Sequence, residues 1–391
     1  MFVLVGAGLG IALWAVAAFL LWNASVVPQL HLSGLDVHRY FTPQQLHRAS
    51  SYERIVDWLW LCSTLVTLLA LAVYARYGAL IVRRTEASDV TAGMMLGVLG
   101  VALVWLVGLP FALVETWWDR RHGFSKIGYL DALFGNWLGL GGALIAVITL
   151  FVVMLAARRF GERWWLVAVP CFVALYLLEA FVTPYVLPSL HPLRNSQVAA
   201  SARALERRDG LDIPIEVENV QRETSLANSE AVGLGPSRRI VIWNTLLDGR
   251  FTNREIRVVV AHELGHQRRH HIWKEVAWEA LFLIPIAFAI ILATRRRGGM
   301  GRPEAIPLAL LVLTVAQLVL TPARNAVSRH FEQEADWVAL QTTNDKTAAR
   351  GLFVKLATTS DDEPDPTTWA YLMLDDHPTI AQRIAMVNAA P

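Results

Sequence analysis

Seven stretches of this chain are long and apolar enough to cross a bilayer, and nothing else in the sequence restricts the fold as tightly. They run approximately over residues 2–22, 55–77, 92–114, 134–156, 164–187, 276–293 and 304–322. A hydrocarbon core about 30 Å thick asks for about 20 apolar residues per helix, because a backbone in lipid must satisfy its own hydrogen bonds. Composition agrees: of 391 residues, 54% are hydrophobic and only 17% charged, which excludes the disordered, collagen-like and disulfide-stapled classes. The first stretch has no positively charged leader and a long apolar run, so it reads as an uncleaved span. Trp117, Trp118, Trp164, Trp165 and Trp278 fall at span ends, where indoles settle at the headgroup level.

The chain therefore divides into spans one to five (1–190), a polar region (191–275), spans six and seven (276–322) and a second polar region (323–391). Neither polar region is large enough for a comfortable enzyme domain by itself. They are expected to fold together as one α+β domain interrupted by a helical hairpin. A net charge of +2 with no basic, aromatic-interleaved block gives no support for nucleic-acid binding. Cys62 and Cys171 lie in separate apolar runs and read as small buried side chains. Arginines 76, 83, 84, 158, 159, 163, 295, 296, 297 and 302 share one set of short loops, which favours a cytoplasmic N-terminus and an external polar domain. Carboxylates in or beside spans are expensive, which makes Glu115, Glu179 and Glu279 candidate functional groups.

Residues 251–271 carry the chemistry. Thr252 and Glu255, three residues apart before the apolar run Val258–Ala261, form a capping-box pattern that starts a helix. That helix holds His262 and His266 one turn apart on one face, the spacing that lets two imidazoles share a zinc ion, with Glu263 turned toward a reacting water. A hydrolytic zinc takes three protein ligands and leaves one position open. Downstream, Phe331, Ala335 and Val338 mark a helix whose other face offers Glu332 and Asp336 one turn apart. One carboxylate could bind zinc while the other orients a ligand histidine; spacing does not say which.

These motifs resemble the type I CaaX prenyl proteases, integral-membrane zinc metallopeptidases of seven spans. His262–His266 and the following His271 match the family's HELGH helix, and Ser328, Arg329, Phe331, Glu332, Ala335 and Asp336 its SRxFExxAD stretch. Residues 239–247 look like its RIVLxDTLL strand with Asn244 for aspartate, and residues 109–126 like its third span ending in HGFNK, with Ser125 for asparagine. His377, Pro378 and Arg383 match an HPxxxxR element in which Gln382 departs from glutamate. The resemblance implies that Glu332 is the third ligand of one Zn2+ per chain and that Asp336 supports a ligand from behind. It implies that His377 and Arg383 approach the oxyanion or fix the zinc shell, and that the seven transmembrane helices form a water-filled chamber with the zinc site at one end, in a zincin-like α+β metallopeptidase domain built from the loop between spans five and six and the C-terminal region.

The function expected is endopeptidase action on unstructured or C-terminal segments, with zinc-activated water and Glu263 as general base. The alternative is a non-catalytic chamber in which zinc is a structural staple. A transporter would show paired interrupted spans in repeated halves, and no such symmetry is visible. The strand Arg239–Trp243 is a candidate edge for pairing with an extended substrate. Partners are thus a peptide or membrane-protein substrate and the lipid bilayer, and the oligomeric state is left open. With Lys126, Lys274, Lys346 and Lys355 as the only lysines, the arginine excess points to a GC-rich bacterial genome and a bacterial cell membrane, where clients other than prenylated proteins are expected.

Overall fold

The computed structural model describes residues 2–391 apart from Gln29, His31, Ser33, Arg83, Arg84, Thr85, Gly135, Asn136, Pro188 and Asn195, so the two arginines of the orientation argument at 83 and 84 lie outside the described residues. The membrane part begins with α1 (Phe2–Trp22), α2 (Pro43–Tyr77), α3 (Asp89–His122), a short α4 (Tyr129–Phe134), α5 (Trp137–Phe160) and α6 (Trp165–Val186). A small polar domain follows, with β1 (His191–Pro192), α7 (Ser196–Asp209), β2 (Ile215–Glu218), β3 (Ser229–Val232), β4 (Arg239–Trp243) and α8 (Asn253–Arg268). The chain re-enters the membrane part in α9 (His271–Thr294), returns in α10 (Ile306–Thr343), and ends in α11 (Lys346–Ser360), α12 (Thr368–Met373) and α13 (Ile380–Ala389).

Five described stretches are long and apolar enough to span: Pro43–Ile81, Asp89–His122, Gly142–Val186, His271–Arg297 and Pro303–Thr343. The third of these is α5 and α6, joined by a 3-10 turn at Gly161–Trp164 and packed side by side. With α1, the described residues of each of the seven apolar sequence stretches fall almost wholly on helix. Gly93 and Gly97 of α3 bring the helix close to α5, where Met154 and Leu150 occupy the space that a side chain would need. Leu71, Leu96, Met154, Ile286 and Ile306 make the membrane-side cluster, and the buried Tyr74 hydroxyl inside it donates to the Leu96 carbonyl at 2.6 Å.

α10 links the two parts. Its 38 residues extend about 57 Å at about 1.5 Å per residue, nearly twice a hydrocarbon core. The first half is a span; the second half enters the polar domain without a break, carrying Glu332 and Asp336. Between α2, α3, α10 and the loop after α11 lies a cavity of about 650 Å³, bordered by Glu53, Asp57, Glu115, Gln317, Asp362 and Asp375. Glu115 thus lines a cavity that holds other carboxylates among apolar side chains, whereas Glu279 is paired locally with Arg324 at 2.8 Å.

The sheet has the order β1-β2-β4-β3, with β2 and β4 parallel and the other pairs antiparallel. This corrects one expectation: Arg239–Trp243 is an inner strand, flanked on both sides, and β3 is the edge on that side of the sheet, with β1 at the other. The reason is topological, since the connection from β2 to β4 passes through β3, which folds back onto β4's free side. Ile240 and Ile242 point to the core, where they meet Val260 and Leu264 of α8, Leu352 and Phe353 of α11, and Ile384 of α13. Ser229 pairs with Ile242 and so shares its face, toward α8.

Candidate metal centre

The helix start read from Thr252 and Glu255 is present: Glu255 Oε2 accepts from Thr252 N at 2.7 Å, and Thr252 Oγ1 accepts from Glu255 N at 3.3 Å. Lys355 then pairs with the same carboxylate at 2.7 Å, tying α11 to this end of α8. Val258, Val259, Val260, Ala261 and Leu264 sink into the core. Their burial fixes the helix's rotation, which leaves His262 and His266 facing α10. The two helices meet at Gly265, where a Cβ would lie 3.3 Å from the backbone of Ala335. This close crossing brings Glu332 over both imidazoles.

His262, His266 and Glu332 form a cluster whose candidate ligand atoms all lie within 4.8 Å of one another. The two Nε2 atoms are 3.0 Å apart, and they stand 3.2 and 3.4 Å from the two oxygens of Glu332. Glu332 Oε2 is buried, with the Nε2 atoms of His262 and His377 beside it at 3.2 and 3.3 Å, a place where a carboxylate oxygen calls for positive charge on those rings or for a cation between them. Burial opposes charge on His262, but the hydrogen bonds and charges of Asp336 and Glu332 outweigh it and push the ring up to about 10. Burial prevails at His266, which is pushed down to about 4. The pocket thus favours one positive charge among its carboxylates, and a divalent cation can supply that charge in exchange for a proton. Two nitrogens and one carboxylate oxygen suit zinc with a position left over.

Behind the cluster, His262 Nδ1 faces Asp336 Oδ1 at 2.9 Å, and Arg383 holds both oxygens of Asp336 at 2.8 and 2.7 Å. Arg383 is itself stacked over Phe353, 4.2 Å from the ring centre. On the other side, His377 Nε2 approaches Glu332 Oε2 at 3.3 Å while its Nδ1 meets Asp376 at 2.7 Å. Burial works against its charge, yet Asp376 and Glu332 together raise its pKa. The structure therefore brings together His262, His266, Glu332, Asp336, His377 and Arg383, and leaves Glu115 and Glu279 away from them. Glu263 lies next to the cluster, buried, with Ser229 Oγ donating to its Oε1 at 2.6 Å. Neither Ser229 nor Glu334, which sits behind His271 at 2.8 Å, was found by sequence reasoning. A lone serine in a short strand and a third acid on α10 carry no spacing signal.

Two of the three departures from the family pattern have local partners, whereas the Ser125 hydroxyl is buried without one among the described residues. Asn244 Oδ1 accepts from the backbone N–H groups of Val220 and Gln221 at 3.1 and 3.2 Å. Gln382 closes a capping box with Thr379 at the start of α13.

The profile of Peptidase family M48 matches residues 192–390. The chain is 27% identical over 271 residues to "Uncharacterized metalloprotease YhfN" of Bacillus subtilis, an alignment that covers 65% of this chain and 62% of that relative. It is 25% identical over 319 residues to "CAAX prenyl protease 1 homolog" of Oryza sativa, covering 75% and 73% of the two chains. The crystal structure of S. mikatae Ste24p superposes with a TM-score of 0.73 over 96% of both chains at 18% identity, a likeness of fold.

Proposed function

The chain belongs to peptidase family M48, and from that premise we propose that it is an integral-membrane zinc endopeptidase cleaving unstructured or C-terminal peptide segments. In this reading the metallopeptidase unit is drawn from residues 191–275 and 323–391, while 1–190 and 276–322 enclose the space in which substrate is held. His262, His266 and Glu332 would hold one Zn2+ per chain, and Asp336 would orient His262. The observation that carries the proposal is the position of Glu263. It is buried beside the cluster, is not one of its ligands, and has one oxygen fixed by Ser229. A purely structural metal would have no use for a preorganised, non-ligating carboxylate at this cost in burial.

Zinc, when bound, supplies Lewis-acid polarisation of the scissile carbonyl and of the attacking water. Glu263 takes the water's proton as the new C–O bond forms, then delivers it to the amide nitrogen as the C–N bond breaks. His377, half exposed beside Glu332, would donate to the carbonyl oxygen as negative charge builds there. Arg383 grips both oxygens of Asp336 and would act through it. The outer side of edge strand β3, beside Glu263, would pair with an extended peptide main chain, which selects conformation more than side-chain identity.

The test uses the full chain in nanodiscs with a quenched, unstructured peptide. Cleavage should vanish on chelation and return with stoichiometric zinc. Cleavage indifferent to chelation would overturn the proposal.

A further inference from the structure

We propose that Glu334, acting through His271, fixes the ring proton of His266 and so presents that imidazole's Nε2 to the metal, a role that rests on the metallopeptidase reading and deepens it. The chain arrives at this arrangement by a turn that a non-glycine residue rarely makes. His270 takes a left-handed backbone conformation, with φ 56°, and α9 begins immediately afterwards with His271 turned back against α8. His271 is buried, stacked on Phe331 with ring centres 4.8 Å apart, and its Nδ1 lies 2.9 Å from His266 Nδ1.

Proton counting fixes the direction. With His266 offering Nε2 to the cluster, its single ring proton sits on Nδ1 and needs an acceptor. His271 Nδ1 can accept it only when the proton of His271 is on Nε2, and that proton points to Glu334 Oε2 at 2.8 Å. The opposite tautomer of His271 would set two N–H groups against each other at 2.9 Å, and relieving that clash would move the His266 proton onto the nitrogen the metal requires. Glu334 prevents this by being a fixed acceptor. It is fully buried and held by Arg269 Nε at 2.9 Å, Lys274 Nζ at 3.0 Å and the Val26 N–H at 2.9 Å. Arg269 and Lys274 also donate to the Ala24 carbonyl at 3.0 and 3.4 Å. The segment leaving α1 is therefore one wall of the cage around Glu334. His262 needs no relay, because Asp336 accepts from it directly.

Zinc affinity of the full chain in nanodiscs, read by competition with a chromophoric chelator, tests the relay, together with the zinc-induced rise in Tm. His271→Phe preserves stacking on Phe331 and leaves Glu334 with Arg269, Lys274 and Val26. It should weaken zinc binding about 10–100-fold and shrink the zinc-induced rise in Tm while the chelated protein melts as the native chain does. Glu334→Gln should also weaken binding, and the double variant should bind no more weakly than the worse single one, because both substitutions interrupt one chain of hydrogen bonds. Native zinc affinity in His271→Phe, or losses that add in the double variant, overturns the relay. A native chain that binds zinc no better than its His266→Ala variant overturns the metallopeptidase reading itself, and the relay with it.

Discussion

Ser229 Oγ donates a 2.6 Å hydrogen bond to Glu263 Oε1, so a hydroxyl on the edge strand of the sheet holds the carboxylate that sits beside the two histidines. A hydrogen bond to a charged acceptor is worth about 1.5–3 kcal/mol, and in the proposed mechanism its use is directional, since it would leave the other oxygen of Glu263 to take a water's proton. Ser229→Ala should lower kcat about tenfold with little change in KM, and Ser229→Thr should restore most of it. An unchanged kcat in Ser229→Ala would contradict this role.

Asp336 is buried between His262 and Arg383. Asp336→Asn leaves the Arg383 guanidinium without its counter-charge in a buried place, at a cost of about 3–5 kcal/mol. It also releases His262, with zinc affinity falling about 10–100-fold. Adding Arg383→Met should recover stability measured by chemical denaturation but leave zinc binding weak. Recovery of both would show that Asp336 acts on the fold alone.

The crossing of α8 and α10 is set by Gly265 against Ala335. Gly265→Val inserts a branched side chain where even a Cβ is tight, and it pushes Glu332 away from the two imidazoles. Zinc affinity should fall by at least about tenfold, in line with the loss expected when a ligand set is displaced by a fraction of an ångström. Equal affinity in the variant would mean that Glu332 is not held by this contact.

Asp362, in the loop after α11, is pushed up to about 6 by burial and then by the charge of Asp375. Its unfolded pKa is near 4, so between about pH 4 and pH 6 the folded chain keeps a proton that the unfolded chain has lost. Stability from this group is present at the acid end and is lost as pH rises through the folded value. Asp362→Asn should therefore stabilise the protein above about pH 6, by about 1–3 kcal/mol, and have no effect near pH 4. The difference between the two denaturation curves as a function of pH is the measurement; a constant difference would contradict the assignment.

What the sequence made legible follows from the range of the signals. The spans were readable because each is a local run of apolar residues. The capped helix with His262 and His266, and the turn separating Glu332 from Asp336, were readable because one helix period fixes them. Which carboxylate faces the cluster was not, since that depends on how α10 crosses α8 at Gly265. The sheet order was misread for a similar reason: β4 looks like an edge in sequence, but β3 folds back along it. Ser229, Glu334 and the contact of Val26 with Glu334 join residues far apart in the chain, and no periodicity announces them.

The central claim is that Glu263 moves the proton at a zinc site it does not ligate. Turnover of an unstructured peptide, with zinc content measured on the same samples, compares the native chain and Glu263→Gln directly. Equal zinc is expected in both proteins, with a loss of kcat of at least about a thousandfold in the variant. Equal turnover at equal zinc would contradict it.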